Sequence, residues 1–241
     1  MQSYNTTSFR NRLEQLDIQL DDAQIRQFMG YYELLIEWNK VMNLTGITDF
    51  EEVIVKHFLD SLAVVKVCDM KQVKRVIDIG TGAGFPGIPL KIAFPHLDIV
   101  LLDSLKKRIS FLDAVVGELH LDYVTVIHGR AEDYANQKEY RECFDLSVSR
   151  AVANLSSLSE YCLPFVSLQG KFISYKSGKI EEELEASQRA IGILGGKVSS
   201  SIKFQLLDTD MERSFVVVEK VRLTPKKYPR KAGLPTKEPI L

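Results

Sequence analysis

The sequence is poor in cysteine and has no long apolar run. Its three cysteines, Cys68, Cys143 and Cys162, lie far apart among 241 residues. An odd number without CxxC spacing argues against a disulfide framework and against a zinc site. No segment approaches the roughly 18 uninterrupted apolar residues of a membrane span, and no apolar signal core opens the chain. We therefore expect a protein of the reducing cytoplasm, with no metal and no membrane contact.

Net charge is also nearly absent, yet the charges are unevenly distributed. The formal net charge is −1, whereas residues 220–241 carry seven Lys or Arg residues and one acidic residue. Such a basic segment on an acidic body indicates either contact with a polyanion or a solvated terminus. Four prolines and little periodicity in residues 225–241 predict that 223–241 form an irregular basic arm and not a packed element.

Hydrophobic periodicity divides the rest of the chain into two regions. Residues 1–70 carry apolar residues at helical spacing after Asp21-Asp22 and again after Thr48-Asp49. This pattern predicts a small N-terminal helical region packed on the core. Residues 71–222 instead alternate short β-branched runs with helical spacers, which is typical of one α/β domain.

Seven short runs in that domain are strand candidates. Five near-continuous apolar runs indicate parallel strands covered on both faces, and the last two predict a hairpin with an antiparallel strand at the sheet edge. The expected fold class is α/β, Rossmann-like, with a mostly parallel, doubly wound, seven-stranded sheet. The predicted strands are 75–79, 98–103, 123–128, 144–149, 171–176, 197–207 and 214–221, and the predicted helices between them are 106–120, 131–141, 152–166 and 180–194.

The most informative stretch follows the first predicted strand, where Asp78 precedes three alternating glycines, Gly80, Gly82 and Gly84. Glycines let a backbone turn tightly and approach a ligand closely. The run from Gly82 to Gly87 matches the GxGxxG of dinucleotide sites, whereas the register led by Asp78 resembles the first motif of class I S-adenosylmethionine methyltransferases. An acid here would repel a pyrophosphate but attract the ammonium and sulfonium of S-adenosylmethionine, so we expect that cofactor.

Two further elements suit a ligand that contains adenosine. Asp103 ends the second predicted strand, where a carboxylate accepts ribose hydroxyls or, alternatively, caps the next helix. After the third strand come Ala131 and Glu132, at the place where class I methyltransferases bring a loop against the adenine. Glu132 and Asp133 fit equally well as caps of the following helix.

These motifs, together with segments spread along nearly the whole chain, resemble the RsmG (GidB) family of bacterial 16S rRNA guanine-N7 methyltransferases. The matching segments are 38–45, 57–61, 78–89, 129–132, 149–151 and 228–235. The resemblance implies methyl transfer from S-adenosylmethionine, with S-adenosylhomocysteine as product, to nitrogen 7 of guanine 527 in the 530 loop of 16S rRNA. It also implies cofactor contacts at Gly80, Phe85, Ala131, Glu132 and Arg150.

The chemical groups that the sequence lacks agree with that reaction. Guanine nitrogen 7 carries a free lone pair and loses no proton on methylation, so alignment of the reacting atoms suffices without a general base. A carbon-5 cytosine methyltransferase needs a nucleophilic cysteine, and Cys162 lacks the expected Pro-Cys setting. Residues 147–152 lack the Asp/Asn-Pro-Pro-aromatic motif that is usual in exocyclic-amine methyltransferases.

Several polar residues are candidates for contact with RNA. Arg150 should end the fourth strand facing the cleft, where it would bond guanine oxygen 6, position phosphate or order the cofactor. A backbone phosphate or a carboxylate such as Glu132 would neutralise it. The candidate phosphate contacts are Lys40, Lys176, Arg230 and Lys231. His57 either lines the cleft or is structural, and Asn39 and Asn43 either read a base edge or cap a helix.

Three other functions stay open at this point: a small-molecule methyltransferase of the same fold, a nicotinamide-dependent oxidoreductase, and an RNA-binding scaffold without catalysis. A loop nucleotide in a folded subunit favours recognition of RNA by shape. We therefore expect the 30S particle, in preference to naked 16S rRNA, as the partner, and a monomeric enzyme.

Overall fold

The computed structural model describes residues 4–150 and 152–240. Residues 1–3 and 241, at the outer ends of the predicted helical region and of the arm, lie outside the described residues, as does Ala151 of the matching segment 149–151. Along the described chain, N-terminal helices are followed by a seven-stranded sheet with a core on each face, and then by the C-terminal arm.

The N-terminal region is helical, as predicted. Asp21 caps the second helix: its carboxylate accepts a hydrogen bond from Gln24 N, and the Gln24 side chain accepts one from Asp21 N. The run after Asp49 does not form one regular helix, because a π-helical turn interrupts it. The elements of this region are α1 (Thr7–Glu14), α2 (Asp22–Met42), α3 (Phe50–Val53), the π-helical turn (Ile54–Leu59), α4 (Asp60–Leu62) and two 3-10 turns (Ala63–Lys66 and Met70–Gln72).

All seven predicted strands form and join one sheet, which confirms the expected fold class. Their order is β3-β2-β1-β4-β5-β7-β6, and the first five pair in parallel. The chain reverses its direction of travel across the sheet between β1 and β4, and ligands of such sheets bind at the carboxyl ends of the strands at that point. The strands are β1 (Arg75–Ile79), β2 (Asp98–Asp103), β3 (Val124–His128), β4 (Phe144–Arg150), β5 (Val166–Ser177), β6 (Gly196–Gln205) and β7 (Glu212–Lys220).

The expected hairpin forms the edge of the sheet beyond β5. Within it, the antiparallel strand β7 lies between β5 and β6. Because β7 runs against β5, its first residues lie beside the last residues of β5, and Arg213 pairs with Ser177. A residue from late in the chain is thereby brought to the ligand-binding edge of the sheet.

One predicted helix is much shorter than expected. The helix expected over 131–141 ends at Tyr134, so that prediction was wrong beyond α7. Asn136 Nδ2 and Arg141 Nη1 donate to the carbonyls of Glu132 and Ala135, and these bonds satisfy groups that a longer helix would have paired. The remaining helices are α5 (Gly87–Ala93), α6 (Lys106–Glu118), α7 (Ala131–Tyr134), α8 (Leu155–Cys162), α9 (Glu181–Ile193) and α10 (Leu234–Lys237).

The N-terminal helices share one core with the sheet. Phe28 and Phe58 are fully buried in the same apolar cluster as Leu101 of β2. Gln24 Nε2 donates to Ile92 O at 2.7 Å, and the Tyr31 hydroxyl donates to Ala83 O in the glycine turn. The helical layer therefore fixes the position of that turn. Among the described residues, no helix is both long enough and apolar enough to cross a bilayer.

The C-terminal arm is packed, and the expectation that it is not a packed element was wrong. Tyr228 is buried in the apolar cluster beneath α8. Glu160 on α8 accepts hydrogen bonds from the backbone N and the guanidinium of Arg230, at 2.7–3.1 Å. The Ser157 hydroxyl donates to Pro235 O at 2.7 Å. The composition of the arm does not predict this packing, because the arm is held by polar side chains of α8. Apolar periodicity in the arm itself contributes no signal.

The pair between Arg230 and Glu160 yields a test of the arm's anchoring. Arg230→Ala removes the cationic partner of the buried Glu160 carboxylate and leaves only the bond from the backbone N at position 230, and we expect the free energy of unfolding to fall by about 3–5 kcal/mol. The neighbouring Lys231 is exposed, so Lys231→Ala should change it by less than about 0.5 kcal/mol. Urea denaturation measures both values. Equal stabilities of the two variants would contradict an anchoring role for Arg230.

Candidate active site

The turn between β1 and α5 depends on glycine at two positions. Gly80 has a φ of 69°, and a Cβ there would lie 2.6 Å from Val152 Cγ2. Gly84 has a φ of 94°, and a Cβ there would lie 2.6 Å from Ile88 Cγ1. Side chains at these positions would be strained and would collide with their neighbours. One side of the turn borders the cleft at Gly80. The other side packs on the N-terminal helices, where Tyr31 lies against Gly84.

Asp78 organises this turn from beneath. Its Oδ2 accepts hydrogen bonds from Thr81 Oγ1 at 2.6 Å and from Gly87 N at 2.8 Å. Burial raises the pKa of its carboxyl to about 7, against the opposing effect of those two bonds. Its Oδ1 has no hydrogen-bond partner among the described residues. The side chain lies behind the turn and not in the wall of the cleft. It therefore acts on a ligand without direct contact, by holding the backbone of the turn in place.

Asp103 joins the glycine turn to the start of α6. Its Oδ2 accepts from Gly82 N at 2.9 Å and from Arg108 Nη1 at 3.0 Å, and its Oδ1 accepts from Leu105 N at 2.9 Å. The side chain is buried, yet it borders a cavity. The carboxylate therefore bonds the backbone at the start of the next helix and also borders the cleft.

Two cavities of about 180 Å³ each flank Gly80. One is walled by apolar groups from Ile79, Leu102 and Ala131 together with the Asp103 carboxylate, which suits a flat heterocycle with an attached ribose. The other is bordered by the backbone of the glycine turn, by Phe85, and by Arg150 at the end of β4. The turn thus separates the end of the cleft with these apolar walls, here called the apolar end, from a cationic end.

Arg150 is held in place at the cationic end. Its Nη1 donates to Asp60 Oδ2 at 2.8 Å and to Lys56 O at 3.2 Å, and its guanidinium lies 5.0 Å from the centre of the Phe85 ring. The carboxylate that neutralises Arg150 is therefore Asp60 on α4. Glu132, which the sequence suggested for that role, lies at the other end of the cleft, where it accepts from Gly233 N at 2.7 Å.

Asp60 serves two arginines at once. Its Oδ1 accepts from Arg213 Nε at 2.8 Å, opposite the oxygen that pairs with Arg150. The carboxylate is nearly inaccessible, with 4% of the residue exposed. Because a buried carboxylate between two guanidiniums has little rotational freedom, both cations are fixed relative to the glycine turn.

His57, on the π-helical turn, lies beside both Phe85 and Arg150. Its ring stacks on Phe85 with centroids 4.5 Å apart, and its Nε2 lies 2.8 Å from Thr45 Oγ1. Burial, and after it the positive charge of Arg150, lower the pKa of the imidazole to about 3. His57 is therefore a neutral, aromatic part of the cleft wall, and both interpretations from the sequence apply to it.

A larger cavity of about 490 Å³ adjoins the cationic end. Arg150 and His57 form the partition, since both border this cavity and the smaller one beside the turn. The other lining residues include Lys56, Tyr175, Lys176 and Arg213. The arrangement offers room for a planar anionic ligand, such as a nucleotide, beside the cofactor-sized cleft.

The four predicted RNA contacts occupy different environments. Lys40 and Lys231 are exposed. Lys176 borders the large cavity, but its Nζ pairs with Glu183 at 2.6 Å and donates to Ala153 O. Arg230 is paired with Glu160, as described above. Asn39 and Asn43 close the end of α2: the Asn39 side chain accepts from Thr45 N at 2.9 Å, and Asn43 is the left-handed C-cap.

Sequence reasoning assigned no role to three residues of the cleft walls. Asp60 lies in the matching segment 57–61, which was the only available signal for it. Arg213 reaches the site through the antiparallel course of β7, and Thr236 reaches it through the packed arm. Neither position stands in a local motif.

Sheet order, glycine turn and cleft together define the fold of a class I S-adenosylmethionine methyltransferase. The structure is similar to P. horikoshii TYW2 in complex with MeSAdo, with 12% identity, a TM-score of 0.52, and coverage of 67% of this chain and 61% of that one. It is also similar to M. jannaschii TYW2 in complex with AdoMet, with 14% identity, a TM-score of 0.50, and coverage of 62% and 70%. At these identities the likeness shows the fold alone.

The family follows from closer relatives. The profile of the GidB family, described as rRNA small subunit methyltransferase G, matches residues 24–213. The chain is 52% identical over 237 residues to the ribosomal RNA small subunit methyltransferase G of Lachnoclostridium phytofermentans, covering 98% of each chain. It is 48% identical over 236 residues to that of Exiguobacterium sibiricum, covering 98% of this chain and 99% of the relative. The chain therefore belongs to the GidB family, and the resemblance drawn from the sequence is confirmed.

The pKa of His57 makes a prediction for acid stability. Unfolded, this side chain binds a proton below a pH of about 6.5, whereas in the folded protein it stays neutral down to about pH 3. The contribution of His57 to the free energy of unfolding should therefore fall as the pH drops through that window, by up to about 2 kcal/mol between pH 7 and pH 5, while protonation of the buried Asp78 carboxyl acts in the opposite direction in wild type and variant alike. His57→Gln should lose less over that range, as measured by urea denaturation at each pH. Ring nitrogen shifts of His57 that titrate near pH 6.5 in NMR spectra would contradict the prediction.

Proposed function

We propose that this chain transfers a methyl group from S-adenosylmethionine to nitrogen 7 of a guanine, guanine 527, in the 530 loop of 16S rRNA. Membership of the GidB family supports rRNA of the small subunit as the substrate. The observation that carries the proposal is the position of Arg150. Fixed by Asp60, it stands between the cofactor-sized cleft and a separate cavity large enough for a nucleotide.

The residues present fit the proposed cofactor. S-adenosylmethionine supplies an electrophilic methyl group on a sulfonium. The apolar end of the cleft suits its adenine, with Ala131 beside the ring and Asp103 facing the ribose. The turn from Gly80 to Gly84 would hold the remainder, with Phe85 at its side. Asp78, buried beneath the turn with an unpartnered oxygen, favours a cation above it, and such a cation would lower the raised pKa of that carboxyl.

The side chains near the cationic end suit a reaction without proton removal. The nitrogen 7 lone pair attacks directly, so positioning of the base suffices. His57 is neutral and packed, and Asp60 is occupied by two guanidiniums. Cys162 is fully buried, and burial raises the pKa of its thiol, which makes it a poor nucleophile. These groups give no support to a cytosine methyltransferase mechanism.

Arg150 is suited to the recognition of guanine. Oxygen 6 adjoins nitrogen 7 on the same edge of the base, and arginine is the side chain that most often bonds this edge. The carboxylate of Asp60 offsets the guanidinium charge, so the cation opposes neither the sulfonium nor the positive charge of the methylated base. We assign Arg150 to orienting the acceptor and Asp60 to holding Arg150.

We further propose how the RNA is gripped and where the reaction takes place. Lys40, Lys176 and Lys231 are assigned to phosphate contacts, and Arg230 to anchoring the arm. The substrate is the assembled 30S subunit, since the target is a loop nucleotide whose surroundings are recognised by shape. The enzyme acts as a monomer in the cytoplasm.

The decisive experiment is methyl transfer to 30S subunits that lack this modification. With labelled S-adenosylmethionine, we expect one label per subunit, which mapping should place on nitrogen 7 of guanine 527. Naked 16S rRNA, as the matched substrate, should accept less label. Label at another nucleotide, or none on either substrate, would overturn the proposal. Calorimetry that detects NAD but not S-adenosylhomocysteine would support an oxidoreductase instead.

Substitution of Arg150 tests the assignment within the site. Arg150→Ala should lower the rate of methylation by more than about tenfold, because a preorganised donor to the acceptor base is lost. Arg26→Ala removes an exposed arginine of α2, away from the cleft, and should leave the rate unchanged. Single-turnover assays with saturating cofactor compare the two variants. Near-wild-type turnover of Arg150→Ala would refute a central role.

A further inference from the structure

The C-terminal arm runs beside the apolar end of the cleft, and one of its side chains borders the cavity there. We infer that the arm completes the adenine-binding pocket, with Thr236 and Tyr161 as a hydroxyl pair that bonds the edge of the cofactor's adenine. This inference rests on the proposed function, because it takes S-adenosylmethionine as the ligand of the cleft.

The hydroxyl pair is placed at the cavity itself. Thr236 Oγ1 lies 2.5 Å from the Tyr161 hydroxyl, and both residues line the cavity that Ala131 and Asp103 also border. Tyr161 belongs to α8 and is 9% exposed, so its ring is held in place beside the cavity. Asp103 already supplies the carboxylate that faces the ribose. The hydroxyl pair is therefore available to the base.

The arm is anchored on both sides of Thr236. Before it, Glu160 holds Arg230 and the Ser157 hydroxyl donates to Pro235 O. After it, the Ser156 hydroxyl donates to Ile240 O at 2.6 Å. These bonds all come from α8, the helix that carries Tyr161. Thr236 and Tyr161 are thus presented to the cavity by one rigid unit.

A separate bond joins the arm to the loop that lies against the adenine. Gly233 N donates to Glu132 Oε1 at 2.7 Å, and Glu132 is almost fully buried. The preceding residue, Ala131, borders the cavity. The backbone position of this loop therefore depends on the arm as well as on β3.

The chemistry of the pair matches the edge of adenine. Two hydroxyls together provide donors and acceptors, and the adenine edge presents an amino donor beside ring-nitrogen acceptors. The apolar walls from Ile79 and Leu102 accommodate the faces of the ring. The two hydroxyls bond each other and can exchange that bond for bonds to a bound base.

The test measures affinity for two ligands that share the adenine end. Isothermal titration with S-adenosylhomocysteine and with methylthioadenosine compares wild type with Thr236→Val and Tyr161→Phe. Each substitution keeps the shape and removes one hydroxyl, and we expect each to raise Kd by about 3- to 10-fold for both ligands. Thr236→Ser, which keeps the hydroxyl, should restore the affinity. Lys237→Ala, an exposed neighbour on the same short helix, should bind like wild type.

The outcomes separate this inference from the proposed function. If wild type binds both ligands and the two hydroxyl variants bind them equally well, the arm plays no part in recognition of adenine. An effect on S-adenosylhomocysteine but not on methylthioadenosine would also overturn the inference, because it would arise away from the base. Wild type that binds neither ligand would overturn the proposed function itself. Thermal unfolding of each ligand-free variant, matched to Lys237→Ala, excludes misfolding as the cause of weaker binding.

Discussion

The buried carboxylate of Asp78 is the constraint on which the rest of the site depends. It bonds both ends of the glycine turn, at Thr81 and Gly87, while Asp103 bonds the middle of the turn from the next strand. Tyr31 reaches the same turn from the N-terminal helices. Side chains from β1, from β2 and from α2 therefore all bond to this one short backbone segment. Burial of this carboxylate lowers the stability of the folded protein, and it also raises the pKa of the group. In return, its hydrogen bonds hold the backbone of the turn in the position that close approach to a ligand requires.

At the cationic end of the cleft, charged side chains are likewise held in fixed positions by one another. Asp60 lies between Arg150 and Arg213, so two cations share one carboxylate and the cluster keeps one positive charge in excess. Such an excess attracts an anionic backbone, while the guanidinium of Arg150, which borders the cofactor-sized cleft, stays paired with Asp60. The neutral ring of His57 stacks on Phe85 beside the cluster. On the proposed function, the pairing of Arg150 with Asp60 lets one end of the cleft attract RNA while it holds a sulfonium nearby.

Much of the fold and part of the site could be predicted from the sequence, because their signals are local. The apolar runs mark all seven strands, and the glycines after Asp78 mark the turn. Other features depend on distant parts of the chain: Asp60 and Arg213 are separated by 153 positions, and Glu132 and Gly233 by 101. Their contacts follow from the register of β7 and from the path of the arm, which leave no periodic pattern. The arm itself was misjudged because serine and glutamate side chains of α8 hold it.

The arm follows all seven strands in the sequence, and this order has a consequence for biosynthesis. Ribosomes emit the glycine turn, the second strand and the loop at Ala131 long before Thr236 and Gly233 emerge. A nascent chain can therefore assemble the sheet while one wall of its cleft is still inside the exit tunnel. This part of the cleft is added only after the sheet has been synthesised, so a product cut short before Gly233 would contain all seven strands and lack one wall of the cleft.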